Sequence, residues 1–294
     1  MEHDLLVTAF ENNRAHLRGV AYRMLGSLSE AEDAVQETWL RLSRAETGDV
    51  ANLAGWLTTV TARICLDMLR SRKARREDSL EAPSAHGAAP FPATSPDPES
   101  ETMMADSVGL ALLVVLETLA PPERLAFVLH DMFAVPFEEI AQIVGRSLDA
   151  TRQLASRARR RVQGAPRGSA EDLAQHREVV GAFLTALRGG DFQGLLAVLH
   201  PDVEVHADAA SMPGGVASDL RGAREAAAQA IALARGARAA RPALIDGSVG
   251  LVVAPQGHLL RVLRFTLEAG KIVRLEVLGD PAELARLELS MLPD

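Results

Sequence analysis

Residues Val135 to Val162, VPFEEIAQIVGRSLDATRQLASRARRRV, decide the reading of this chain. Pro136 suits a helix start, where a missing N–H costs nothing. Ile140, Ala141 and Val144 give the short helix that follows an apolar stripe. Gly145-Arg146-Ser147 supplies a tight turn, and Leu148 opens a second helix running to about Val162. On that helix Leu148, Thr151, Leu154, Ala155, Ala158 and Val162 fall on an inner side. Arg152, Gln153, Ser156, Arg157 and Arg160 fall on the other, with no acidic residue after Asp149. The pattern predicts a helix-turn-helix whose second helix enters a major groove. Its arginines would neutralise phosphates or grip guanine, and Gln153 would read a base edge. Ser147 and Thr151 are expected near phosphates at the helix start, where the dipole favours anions. The plainer alternative for this face is a solvated basic surface.

Composition bounds the rest. A chain of 294 residues has room for two or three domains, and 48% hydrophobic with 24% charged residues is ordinary for a folded protein. No apolar run reaches membrane-span length, and MEHDLLVTAFENNRAHLRGV is amphipathic without a signal-peptide core. Cys65 is the single cysteine, which excludes a disulfide framework and a cysteine-based metal site. A cytoplasmic protein without metal or cofactor is expected. The net charge of −8 argues against a wholly basic nucleic-acid binder, but the distribution matters more than the total. Basic residues concentrate in Arg63–Arg76 and Arg146–Arg167, which suggests two separate DNA contacts.

Outward from the helix-turn-helix, residues 1–79 read as helical. Gly26-Ser27 breaks an amphipathic pattern, and Ser29 with Glu32 reads as a capping box for the next helix. Ala34, Val35, Thr38, Trp39 and Leu42 form its buried stripe, leaving Asp33, Gln36, Glu37 and Arg41 outside. Asn52 is placed as the cap of a further helix that turns Trp56, Leu57, Val60, Ile64 and Met68 inward. Residues 80–100, rich in Pro, Ala and Ser, read as a linker. Residues 101–163 carry two more helical segments, broken at Pro121-Pro122, and the helix-turn-helix. Gly164–Ser169 reads as a hinge. Residues 170–294 differ in kind: helices first, then LIDG, VGLVVA, HLLRVLRFTLE and KIVRLEVL as antiparallel strands. The expected fold is multi-domain, two all-α domains followed by an α+β domain.

SEAEDAVQETWLRL and GWLTTVTARICLDMLRSRKARRE, a linker, then a helix-turn-helix resemble the extracytoplasmic-function sigma factors. The resemblance covers Met1 to about Val162. It implies that Asp33, Gln36, Glu37 and Leu40 dock on the β′ coiled coil of RNA polymerase core. It implies that Trp56, Arg63, Arg70, Arg72, Lys73, Arg75 and Arg76 open and hold the −10 element. Many family members carry Asn where this chain has Arg63. Ser147, Thr151, Arg152, Gln153, Ser156, Arg157 and Arg160 would then read the −35 element. The partners implied are the β and β′ subunits of core polymerase and promoter DNA, with no membrane and no catalytic residue.

Most such factors stop near the helix-turn-helix. The extension here resembles SnoaL-like domains, which share a cone-shaped α+β fold, and the resemblance implies a regulatory domain docked on the sigma domains. Asp208 stands where a glycine-rich stretch usually begins, and Asp280-Pro281 where a late Asn-Pro-Asp motif usually lies. His206 and Asp208 are expected to share one face at a strand end. They read either as an acid–base pair in a pocket or as hydrogen-bonded polar residues. His206, Asp208, Asp280 and Pro281 are thus the candidates for a C-terminal pocket or docking site, with a small-molecule ligand left open. Two rival readings stand beside this one: a ligand-sensing regulator that binds DNA alone, and an enzyme on a DNA-binding module.

Overall fold

Short polar signals set the helix ends in the N-terminal part. In the computed structural model, which describes residues 2–45, 52–80, 109–255 and 258–293, Gly26 sits at φ +79° and closes the first helix. The helices are α1 (Glu2–Leu25), α2 (Leu28–Leu42), α3 (Leu53–Leu80), α4 (Leu110–Glu117), α5 (Pro121–Phe127), α6 (Phe137–Val144), α7 (Leu148–Gln163), α8 (Ala170–Gly189), α9 (Phe192–Val198), α10 (Ala223–Ala232) and α11 (Pro281–Leu284). The strands are β1 (Leu199–Ala207), β2 (Ser218–Arg221), β3 (Ala240–Ile245), β4 (Ser248–Val253), β5 (Arg261–Glu268), β6 (Lys271–Leu278) and β7 (Leu289–Ser290). The linker expected at 80–100 lies outside the described residues apart from Leu80, the last residue of α3.

The chain divides into two units. The first comprises Met1–His86 and Leu119–Arg160, the second Gly87–Thr118 and Arg161–Asp294. In the first, Ser27 caps α2 by accepting the Glu30 N–H, so the cap lies two residues before the expected Ser29. Asn52 caps α3 as expected, its Oδ1 taking the Gly55 N–H at 3.0 Å. Where α2 meets α3, the Thr38 and Thr61 hydroxyls lie 2.9 Å apart in the core. Each also reaches the carbonyl one turn back in its own helix, so neither oxygen is stranded. Helices α5 and α6 pack on α3. Arg124 on α5 is 3% exposed and donates from Nε to the Arg23 carbonyl at 3.1 Å. After α5 the helix widens into a π turn over Val128–Met132. Pro136 is the N-cap of α6 and not its first residue, and Gly145 ends α6 in the left-handed region at φ 70°.

In the second unit one mixed sheet runs in the order β2-β1-β6-β5-β4-β3-β7. The late strands β3 to β6 are antiparallel as expected, while β1, whose direction the sequence left open, pairs with β6 in parallel. Strand β1 returns from the helices α8 and α9, whereas β3 to β6 form a meander. The hairpins turn at Asp246-Gly247 and Ala269-Gly270, where both residues of each pair have positive φ, the type I′ geometry. Helix α8 covers β3 and β4, α10 covers β1, and α4 packs on β3 and β7. The core is Phe183, Leu187, Val203, Val205, Leu251 and their neighbours, with Phe183 edge-on to Phe265 at 5.2 Å. Gly164–Ser169, expected as a hinge, is fastened to this sheet. Arg167 N–H donates to the Gly247 carbonyl at 2.7 Å, and Met291 N–H to the Val162 carbonyl at 2.8 Å.

Candidate nucleic-acid interface

Helix α7 separates its two faces cleanly. Thr151, Ala155, Ala158 and Val162 are buried, while Arg152, Gln153, Ser156, Arg157 and Arg160 are exposed. The five outward residues lie within about two and a half turns, a length that fits a major groove. Local carboxylates hold part of this charge. Arg152 lies 3.4 Å from Asp149, and Arg157 lies 3.5 Å from Glu123, whose side chain is largely buried. Arg159, which the sequence reading passed over, pairs with Asp131 at 2.6 Å and ties α7 to the π turn. Its signal was weak, because it lies between the two faces. Ser147 caps α7, accepting the Ala150 N–H at 3.3 Å. Thr151 needs correcting. It is buried, and its hydroxyl donates to the Ser147 carbonyl at 2.9 Å, so it holds the helix start and faces no phosphate.

On α3, Trp56, Arg63 and Arg70 recur at intervals of seven residues, which places them along one stripe about 21 Å long. Trp56 is half-buried, and Arg63 and Arg70 are exposed, with Arg70 3.7 Å from Asp67. Arg72 differs from the expected free cation. It is half-buried, pairs with the Glu30 carboxylate and reaches the Leu25 carbonyl at 3.4 Å. It therefore fastens α3 to the start of α2. The side chains of Lys73, Arg75 and Arg76 lie outside the described residues.

The outward face of α2 carries Asp33 and Gln36, both exposed, and Glu37, which pairs with Arg41 at 2.9 Å. Leu40 is 38% exposed, an uncommon placement for a large apolar side chain among the described residues. Acidic and amide groups around one bare leucine form a small anchor with a polar rim.

The four C-terminal candidates do not meet in a pocket. Val205 and Ala207 of β1 point into the domain, so His206 between them points out, 2.7 Å from Asp219. Asp208 lies beyond the strand end. Its Oδ2 accepts the Gly279 and Asp280 N–H groups at 2.7 and 2.9 Å, and its Oδ1 the Ser211 N–H at 2.6 Å. Burial works against its charge, but these bonds outweigh it and hold the carboxyl below its usual range. Asp280 caps α11, whose first residue is Pro281. Of the two alternatives, the geometry fits hydrogen-bonded polar residues: His206 bonds Asp219 across β1 and β2, and Asp208 and Asp280 fix loops. The residue that does line the cavity of this domain, and that the sequence reading missed, is Arg261. Its signal was there: on β5 it alternates in phase with Leu263 and Phe265.

The fold and these faces define a multidomain DNA-binding protein with a helix-turn-helix and an α+β C-terminal domain. Comparison with known proteins refines that class. Residues 9–75 match Sigma-70 region 2, and residues 109–162 match Sigma-70 region 4. The probable ECF RNA polymerase sigma factor SigI of Mycobacterium tuberculosis is 37% identical, over 99% of this chain and 98% of its own. SigJ of the same organism is 37% identical over 94% and 92%. The crystal structure of Mycobacterium tuberculosis SigJ shares 32% identity, covers 94% of this chain and 97% of its own, and superposes with a TM-score of 0.46. The chain belongs to the extracytoplasmic-function (ECF) RNA polymerase sigma factors. It directs bacterial RNA polymerase to promoters, and its partners are core polymerase and promoter DNA. The family is not catalytic. No helix among the described residues is long and apolar enough to cross a membrane.

Proposed function

We propose that the exposed face of α7, Arg152, Gln153, Ser156, Arg157 and Arg160, reads the −35 element. The observation that carries this is the separation of that face from the buried side of the same helix. The Trp56–Arg63–Arg70 stripe of α3 takes the −10 strand: the two arginines hold phosphates and Trp56 offers a ring for stacking. Arg72 positions α3 through Glu30. Asp33, Gln36, Glu37 and Leu40 dock on the β′ coiled coil of core polymerase. Residues 1–79 are the core- and −10-binding domain, 101–163 the −35-binding domain, and 170–294 a SnoaL-like domain that modulates both.

The test is transcription in vitro with bacterial core polymerase on a promoter library, using full-length protein. Gln153→Ala is expected to change which −35 sequences are transcribed while core binding stays intact. Unchanged promoter choice in both Gln153→Ala and Ser156→Ala would overturn the −35 assignment. Point variants serve better than truncation after Val162, because α4 packs on β3 and β7 and a cut would bare that helix.

A further inference from the structure

The C-terminal domain encloses a cavity of about 90 Å³ between the inner face of its sheet and helices α8 and α10. Phe183, Leu187, Val205, Leu251 and Leu275 make its walls apolar. Three polar side chains reach it, and two are already engaged. Gln229 donates to the Ser218 hydroxyl at 3.0 Å, and the Ser211 hydroxyl donates to the Asp208 carbonyl at 2.8 Å. The third is Arg261. Its Nε is buried and has no hydrogen-bond partner among the described residues. Asp208 is the carboxylate whose charge acts on it, but it forms no ion pair with Arg261, and its two oxygens already hold three backbone N–H groups.

Such an arrangement is unfinished. A buried donor without an acceptor is costly, and more so on a charged group. Burial lowers the guanidinium's pKa, with Asp208 pulling the other way, but a guanidinium stays charged at any ordinary pH. Water is a poor remedy here. It can use the acceptors that Gln229 and Ser211 keep, but it leaves the apolar remainder of the cavity unfilled. A carboxylate matches the planar fork of arginine with two parallel bonds, and an apolar body attached to it would fill the remaining space.

We infer that this cavity binds a small organic acid, a short-chain or single-ring carboxylate, with its carboxylate on Arg261 and its apolar part against Phe183 and Leu251. This site makes the sigma factor responsive to a metabolite acid.

The experiment uses full-length protein and ligand-detected saturation-transfer NMR with titration calorimetry. The probes are pentanoate and benzoate, each set against its alcohol, pentanol and benzyl alcohol. Saturable binding of at least one acid is expected, with its alcohol about tenfold weaker or worse, as loss of a charge-assisted bond requires. Arg261→Met should remove that preference while leaving alcohol binding in place, which shows the cavity still folded. Ala230→Phe, on the α10 wall, should abolish both. No saturable binding of either acid up to about 10 mM, a ceiling for weak specific sites, would overturn the proposal. So would equal affinity for acid and alcohol, or an acid affinity unchanged in Arg261→Met.

Discussion

Replacing Arg160 by Ala should flatten the salt dependence of promoter binding by a calculable amount. Four arginines of α7 are exposed, and Arg152, Arg157 and Arg160 are the three on the proposed reading face. Arg152 and Arg157 stand near carboxylates at 3.4 and 3.5 Å, whereas Arg160 forms no ion pair among the described residues. A free arginine that meets a phosphate releases its full share of counterions, about 0.9 in the slope of log affinity against log salt. Between about 50 and 200 mM salt that is a factor of roughly 3.5 in affinity. Arg157→Ala should change the slope less, because leaving Glu123 offsets part of the gain. Gln153→Ala, which removes no charge, should leave the slope alone. The assay is fluorescence anisotropy of a labelled promoter duplex with holoenzyme assembled from bacterial core polymerase, titrated at several potassium chloride concentrations. The contribution of the core enzyme cancels between wild type and variant. Parallel lines for wild type and Arg160→Ala would refute the assignment of this side chain to a phosphate.

Three further outcomes follow from other parts of the molecule. Leu40→Asp should weaken binding to core polymerase by tenfold or more, roughly 1.4 kcal/mol, without shifting the unfolding midpoint, because the side chain is exposed. A binding isotherm that matches wild type would remove Leu40 from the docking face. Burial pushes the Cys65 thiol up from 9.0 to about 12. At pH 8 its thiolate fraction is then about a thousandfold below that of an ordinary thiol, and labelling by a disulfide reagent should be slower by at least that factor. The folded state holds this proton more tightly than the unfolded state. Its contribution to stability is complete below pH 9 and is lost as pH rises from there towards 12; urea midpoints across that window check the sign. Gly247→Ala should cost roughly 1–3 kcal/mol in urea unfolding, since φ is +81° and a new Cβ would sit 2.8 Å from the Ala165 carbonyl. An unchanged midpoint would mean the turn relaxes freely.

What the sequence revealed was mainly local. The 3.6-residue period placed α2, α3 and α7 and sorted their faces, because each face is decided within one helix. The meander from β3 to β6 was equally legible from period-2 runs. Pairings between distant segments were not. The parallel contact of β1 with β6 joins residues about seventy positions apart, and no local pattern encodes its direction. Strands β2 and β7, of four and two residues, are too short to carry a period. The packing of α4 on β3 and β7 was hidden for the same reason as the parallel pair. At the site, the alternation argument for His206 and Asp208 failed because β1 ends at Ala207, so Asp208 had already left the strand. Thr151 lies on the inner side as the period placed it, and only its phosphate contact failed, because a hydroxyl can satisfy itself on its own helix while facing inward.

Arg124 gives the first unit a property that its leucines do not. A joint sealed by hydrocarbon alone holds until the whole apolar area is wetted again. The guanidinium under the Arg23 carbonyl is different, because water takes it back on favourable terms as soon as α5 moves off α1. Rehydration of that single cation offsets part of the loss of contact. The contact of α5 with α1 therefore costs less to open than an apolar contact of the same area.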